Sequence, residues 1–295
     1  MEIRLKPFLI ILGVLLLSWA GSYLYYDYTK LEKPLFFKHY YDLSMDEDGY
    51  FQLYYAKDQY DDRRVISISF PEEPEVMMSV EEGHPYDVGK YKVQELFVKF
   101  HYPEFDREKV IHTNTLIVSY SDGFQETVDI GDLYITKFSN PDKRYIEFIA
   151  GGSGGNQDFY TVQAVEDFTL QTLSHAFERI TNEHLVIEID TDQTSIEKMD
   201  QRKKENQNRD INTDETFAVG KPGTLPMDIK QGDYLKIVSH FKKTNIAGYY
   251  LSFPLTARVN QDGKTSEMET SLIRYQPSWE QGTLKNYIKE MRDKE

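Results

Sequence analysis

The sequence predicts a mainly β protein: an N-terminal transmembrane helix, then one or two antiparallel β-sandwich-like domains, and a short C-terminal helix. Among its 295 residues are 22 Tyr and 17 Phe, which suit the half-buried pleated surface of strands. Short runs of β-branched and aromatic residues recur between turn-forming residues. One uncharged apolar stretch precedes all of them, and it predicts the transmembrane helix.

That stretch runs from Phe8 to Tyr26. As a helix rising about 1.5 Å per residue it spans roughly 28 Å, which matches the apolar core of a bilayer. Aromatic side chains collect at its C-terminal end, where rings prefer the headgroup region, and Arg4 and Lys6 precede it, which favours an N-terminus inside the cell. The predicted membrane-anchor residues are Phe8, Leu12, Leu16, Trp19, Tyr23 and Tyr26.

A cleavable signal peptide is the alternative interpretation of this segment. Its apolar run would end at Leu17, and Ser18-Trp19-Ala20 would form the cleavage site. The uncharged stretch continues past Ala20, which favours a retained anchor. Both interpretations place the rest of the chain outside the cytoplasm, so we expect a single-pass cell-membrane protein with an extracytoplasmic C-terminal part.

Composition narrows the function classes. The net charge of −15 disfavours nucleic acid, because binding phosphates requires a positive field. The chain has no cysteine, which excludes disulfides, thiolate nucleophiles and cysteine-ligated metal sites. An exported domain without disulfides is typical of a bacterial, Gram-positive surface. No cofactor is predicted.

Breaks in the pattern divide the chain. The first β domain contains a predicted hairpin around Asp122-Gly123, and a glycine-rich run is typical of a linker. The predicted parts are an anchor at 1–30, a juxtamembrane stretch at 31–48, a first β domain at 49–150, a linker at 151–157, a second β domain at 158–278 with a polar loop at 190–214, and a helix at 279–295.

The clearest alternation of apolar and polar residues lies between Leu251 and Val259, and it predicts a strand with one core face. Pro254 lacks a backbone donor, so we expect an edge or a bulge there. In the C-terminal segment, Leu284, Tyr287 and Ile288 fall on one stripe of a helix. Such a helix docks on the domain or, alternatively, binds a partner.

Two motifs imitate known sites. The run from Gly151 to Gly155 satisfies G-x-S-x-G with Ser153 as nucleophile, but that motif needs a following helix and the next residues predict a strand. Ser44, Asp46 and Asp48 imitate a calcium loop, yet Tyr55 stands where its glutamate should be. The seven histidines are scattered singly, so neither a catalytic nor a metal site is predicted.

Function follows by elimination. We expect a binding or assembly module of the bacterial cell envelope, held to the lipid bilayer by the N-terminal helix and contacting an envelope protein or a wall glycan. Exposed aromatic side chains would suit sugar rings, although most Tyr and Phe are expected in the core. The alternatives are an envelope hydrolase acting on wall polysaccharide or peptide, recognisable by converging carboxylates, and a ligand-sensing ectodomain that signals through another protein.

Overall fold

The computed structural model describes residues 5–45, 49–100, 110–137, 145–154, 157–191, 223–242 and 248–293. These residues form an N-terminal helix, three β-sheets and a short C-terminal helix. The predicted fold class, mainly β with a helix at each end, is confirmed.

Helix α1 spans Leu5–Thr29. Its part from Pro7 to Thr29 has a mean hydropathy of 1.9 over its most apolar window, and no share of that window is buried against the rest of the protein. The helix is therefore long and apolar enough to cross a bilayer. All six predicted anchor side chains are exposed on it: Phe8, Leu12, Leu16, Trp19, Tyr23 and Tyr26.

The first sheet is antiparallel, with the order β1-β3-β7-β5 and with β6 also paired to β7. Its strands are β1 (Leu35–Phe36), β3 (Tyr50–Asp58), β5 (Met78–Glu82), β6 (Tyr86–Val88) and β7 (Tyr91–Phe100).

The second sheet has eight strands in the order β14-β12-β16-β2-β9-β8-β4, with β17 on the other side of β16. Its strands are β2 (Lys38–Met45), β4 (Val65–Ser69), β8 (Ile111–Tyr120), β9 (Gln125–Lys137), β12 (Phe168–Ser174), β14 (Met227–Ile229), β16 (Tyr249–Gln261) and β17 (Lys264–Tyr275). This sheet takes strands from both sides of the predicted linker at 151–157.

The third sheet has the order β10-β11-β15-β13. Its strands are β10 (Ile146–Gly154), β11 (Gln157–Ala164), β13 (Leu185–Asp190) and β15 (Tyr234–Phe241), and the remaining helices are α2 (Glu178–Thr181) and α3 (Gln281–Arg292).

Strand β2 occupies a large part of the segment 31–48, for which the sequence predicts a juxtamembrane stretch. It lies inside the eight-stranded sheet and pairs in parallel with both neighbours, β9 and β16. The alternation of its side chains explains this position, because His39 and Tyr41 are buried while Tyr40 and Asp42 are only partly covered.

Most residues of the predicted linker at 151–157 lie in strands β10 and β11. Gly151 to Gly154 form the end of β10 and pair with β11. Aromatic rings take the place of the missing side chains: a Cβ at Gly151 would lie 3.1 Å from the ring of Phe148, and one at Gly152 would lie 2.7 Å from the ring of Phe159. These contacts hold a glycine-rich backbone in an extended strand.

Pro254 lies in β16, an interior strand of the second sheet. Along one side of β16 the pairing partner changes from β2 to β12 near this residue. The pairing of β16 with β2 ends at Ser252, its pairing with β12 begins at Thr256, and a register shift against β17 follows Leu255. The missing donor of Pro254 therefore falls in a gap of the ladder beside a bulge, as bulge chemistry predicts.

Helix α3 docks on the domain, as predicted. Leu284, Tyr287 and Ile288 are buried in the largest hydrophobic core, where Tyr287 and Phe37 both pack against Trp279. The Trp279 indole donates a hydrogen bond of 2.9 Å to the Tyr250 hydroxyl.

His39 lies fully buried at the centre of this core. Its Nε2 accepts a 2.9 Å hydrogen bond from the backbone N–H of Tyr54, and its ring stacks on Tyr250. Gly131, with a φ of +99°, approaches so closely that a Cβ there would lie 2.5 Å from the His39 carbonyl. Burial lowers the pKa of His39 from 6.5 to about 3, because the imidazolium would lose its hydration.

This shift predicts loss of stability in acid. Between pH 6.5 and about 3 the unfolded chain binds a proton at His39 and the folded chain does not, so stability falls as pH decreases through this range. The loss is about 1.4 kcal/mol per pH unit. We expect His39→Gln to reduce the stability difference between pH 6.5 and 5 by about 2 kcal/mol.

Urea unfolding of the full chain in lipid nanodiscs, followed by tryptophan fluorescence, measures this difference. The matched control is the exposed His84→Gln, which should retain the wild-type pH dependence. An unchanged pH dependence in His39→Gln would contradict the assignment.

Candidate functional site

A cleft of about 730 Å³ opens where β2, the β16–β17 hairpin and the β10–β11 hairpin meet. Its lining combines aromatic, charged and hydroxyl side chains. They include Asp42 and Ser44 of β2, Phe148 of β10, Tyr160 of β11, Ser252 of β16, and Glu269, Thr270, Ser271 and Arg274 of β17.

A second hollow, of about 650 Å³, adjoins the first. Four residues line both: Phe148, Tyr160, Leu272 and Arg274. Beyond them the second hollow is bordered by the glycine strip of β10, which leaves its backbone accessible. The two hollows therefore form one groove crossed by an aromatic ridge, a shape that suits an extended ligand.

The ridge owes its exposure to a bulge. The register of β10 against β11 shifts between Phe148 and Ala150, and bulges re-aim side chains. Phe148 is 61% exposed and packs edge-on against Tyr160, with 6.2 Å between ring centroids. Burial raises the pKa of Tyr160, and the negative charge of Asp158 raises it further.

Arg274 supplies the positive charge of the groove. Its backbone N–H donates to Oδ2 of the buried Asp158 at 3.4 Å, which holds β17 against β11. Its side chain is exposed, and in the described part of the chain no carboxylate lies within 4 Å of the guanidinium. An anionic or hydrogen-bond-accepting ligand group can therefore reach it.

Asp42 and Glu269 bring two carboxylates to the same cleft. Burial raises the pKa of Asp42. Burial also raises the pKa of Glu269, and the negative charge of Asp42 raises it further. Such a pair retains a proton at higher pH than isolated carboxylates do. Within the described ranges, no group of three histidines or carboxylates is placed to hold a metal ion.

The residues singled out from the sequence occupy different places. Ser153 lines the second hollow but sits in a β-hairpin, whereas a nucleophile elbow requires a helix after the serine. Tyr55, at the glutamate position of the imitated calcium loop, is buried in the core. Asp46 and Asp48 of the imitated calcium loop lie outside the described residues, as does most of the polar loop at 190–214.

Sequence reasoning singled out Ser44 and Ser153, which line the groove, but for other motifs, and it did not identify the groove. Phe148, Tyr160 and Arg274 lie on three strands, and no local spacing links them. The glycines were the one available indication, because a glycine strip in a strand marks a close approach of backbone or ligand.

Comparisons with known proteins add little. No family model matches the chain, and no curated protein matches it. One similar solved chain is the Streptococcus agalactiae AgI/II polypeptide BspA C-terminal domain, at 10% identity and a TM-score of 0.20, covering 82% of this chain and 100% of that one. A second wild-type BspA C-terminal chain has 11% identity and a TM-score of 0.20, covering 79% and 95%. These scores are too low to support an argument.

The ring contact of Gly152 predicts that this position tolerates no side chain. We expect Gly152→Ala to destabilise the protein by about 1–3 kcal/mol, because the new methyl group would push on Phe159. Gly282→Ala in α3 is the matched control, since a Cβ there meets nothing within 4 Å, and it should be neutral or stabilise by up to about 1 kcal/mol. Urea unfolding of both variants tests this, and equal effects would contradict it.

Proposed function

We propose that the chain is a membrane-anchored, extracytoplasmic binding module of a bacterial cell envelope, and that its groove binds an envelope protein or a wall glycan. The observation that supports this function is the exposed ring of Phe148, packed against the half-buried Tyr160, beside the exposed cation of Arg274. Exposed aromatic surface next to a few convergent polar groups is typical of recognition sites.

Several features support the location and the role of the anchor. Helix α1 has the length and composition of a membrane span, and Arg4 and Lys6 before it favour export of the rest. The absence of cysteine fits a Gram-positive surface. A tether raises the local concentration of the groove near its ligand, so even weak contacts become useful.

The cysteine-free chain permits a direct test. Single cysteines are introduced by Ser153→Cys, in the groove, and by Ile66→Cys, an exposed control on β4 that does not line the groove. A membrane-impermeant maleimide is expected to label both in intact cells. We expect Ser153→Cys to react at least several-fold more slowly in cells than in the purified full chain in nanodiscs, because its ligand covers the groove.

The Ile66→Cys control should react at similar rates in both settings. Labelling of either position only after permeabilisation would contradict the extracytoplasmic location. Equal reaction rates of Ser153→Cys in cells and in nanodiscs would contradict the binding role.

A second candidate function, an envelope hydrolase, is favoured by one observation. Asp42 and Glu269 are two carboxylates with raised pKa values in one cleft, and glycosidases use such a pair as acid and as base or nucleophile. The groove would then hold the polysaccharide for cleavage.

Under this second function, the full chain in nanodiscs releases reducing ends from purified peptidoglycan. Asp42→Asn and Glu269→Gln each reduce the release at least 100-fold, in line with the loss of general acid–base catalysis. Asp87→Asn, an exposed carboxylate on β6, is the control and retains full activity. Equal activity in all four proteins, or none in the wild type, rules out the carboxylate pair as a catalyst.

A further inference from the structure

Strand β10 forms one edge of the third sheet. Within the described ranges it pairs only with β11, so the backbone groups on its outer side have no strand partner. Unpaired backbone N–H and C=O groups in a row are a template for another strand, and proteins normally protect such edges with charges, proline or short length.

The other sheet edges of the described chain carry this protection. β1, β6 and β14 have 2, 3 and 3 residues. β4 has only 5 residues. Strands β5, β13 and β17 each carry at least two charged side chains. Each of these edges therefore resists the addition of a strand.

Edge strand β10 has one bulge, between Phe148 and Ala150, and beyond it Ala150 to Gly154 continue as a paired strand without a charged side chain. It has 9 residues, no proline and no lysine, and Glu147 is its only charged residue. Its glycines remove the side chains that would otherwise shield the backbone. Phe148 stands 61% exposed beside them, ready to pack on an incoming side chain.

We propose that β10 accepts an extended peptide of a partner protein as a fifth strand of the sheet, with a basic side chain of that peptide opposite Glu147. This inference rests on the proposed binding function and specifies its ligand. Backbone hydrogen bonds supply the affinity, and the pockets and charges along the strand supply the selectivity.

Charge selects the occupant. Glu147 is exposed, and opposite charges on neighbouring strands stabilise their pairing. A second copy of the chain carries the same Glu147 and the same net charge of −15, so two copies repel each other at this edge. A segment of another protein with basic ends and an uncharged centre places no negative charge opposite Glu147, and the net charge of the chain does not repel it.

A synthetic probe tests strand addition. The fluorescent peptide acetyl-Lys-Thr-Val-Thr-Val-Thr-Val-Lys-amide is extended, basic at its ends and β-branched throughout. We expect it to bind the full chain in zwitterionic nanodiscs, as measured by fluorescence anisotropy. A version with N-methyl groups on alternate residues cannot complete the ladder, and we expect it to bind at least tenfold more weakly.

Matched variants locate the site. We expect Glu147→Lys to weaken peptide binding at least tenfold, because it places a like charge on the edge. Glu188→Lys on β13, the opposite edge of the same sheet, makes the same charge change and should leave binding unaltered. Hydrogen exchange should show that the peptide protects amides of β10 and not those of β13.

Four results would overturn the proposal: no binding by the wild type, equal binding of the N-methylated peptide, equal loss in both charge variants, or protection away from β10. Self-association of the wild type that protects the amides of β10 from hydrogen exchange would identify a second copy as the occupant and would also overturn it. Slow labelling of Ser153→Cys in cells without peptide binding would retain the proposed function and reject strand addition alone.

Discussion

Strand β2 lies between β9 and β16. Its inward Tyr41 belongs to the largest core together with Phe37 just before the strand, and the buried ring of His39 packs against Tyr41 and Tyr250 of that core. Only eight residues separate the start of β2 from the end of α1. The junction is itself packed: the Tyr91 hydroxyl donates 2.9 Å to the carbonyl of Thr29, and Arg292 of α3 donates 2.6 Å to that of Tyr28. These two hydrogen bonds join the end of helix α1 to β7 of the first sheet and to the C-terminal helix.

The parallel pairing of β2 also explains which parts of the fold the sequence could predict. Hairpin β16–β17 is specified locally, by alternation and by a turn at Asp262 and Gly263, which have φ angles of 51° and 79°. A parallel strand has no such local turn, because its partners lie far along the chain. Strand β2 carries Tyr, His and Asp where a core strand usually shows aliphatic residues, so its sequence resembles a polar stretch.

The groove could not be predicted for a related reason. Asp42, Phe148 and Arg274 come from strands β2, β10 and β17, and each residue alone looks like an ordinary surface or strand residue. The glycine run was visible, but glycine indicates both flexibility and close packing. The contacts of Gly151 with Phe148 and of Gly152 with Phe159 indicate close packing here. These contacts depend on the bulge in β10 and on its pairing with β11, which the sequence does not reveal.

The acidic charge of the chain is compatible with the open edge of β10, because electrostatic repulsion acts over a longer distance than backbone hydrogen bonds do. A net charge of −15 opposes the approach of another copy over about a Debye length, roughly 8–10 Å at moderate salt, before any backbone hydrogen bond forms. A neutral glycine strip can therefore remain unprotected without causing self-pairing. The same field attracts basic segments, so the charge that opposes self-pairing would also favour the basic peptide that we propose for β10.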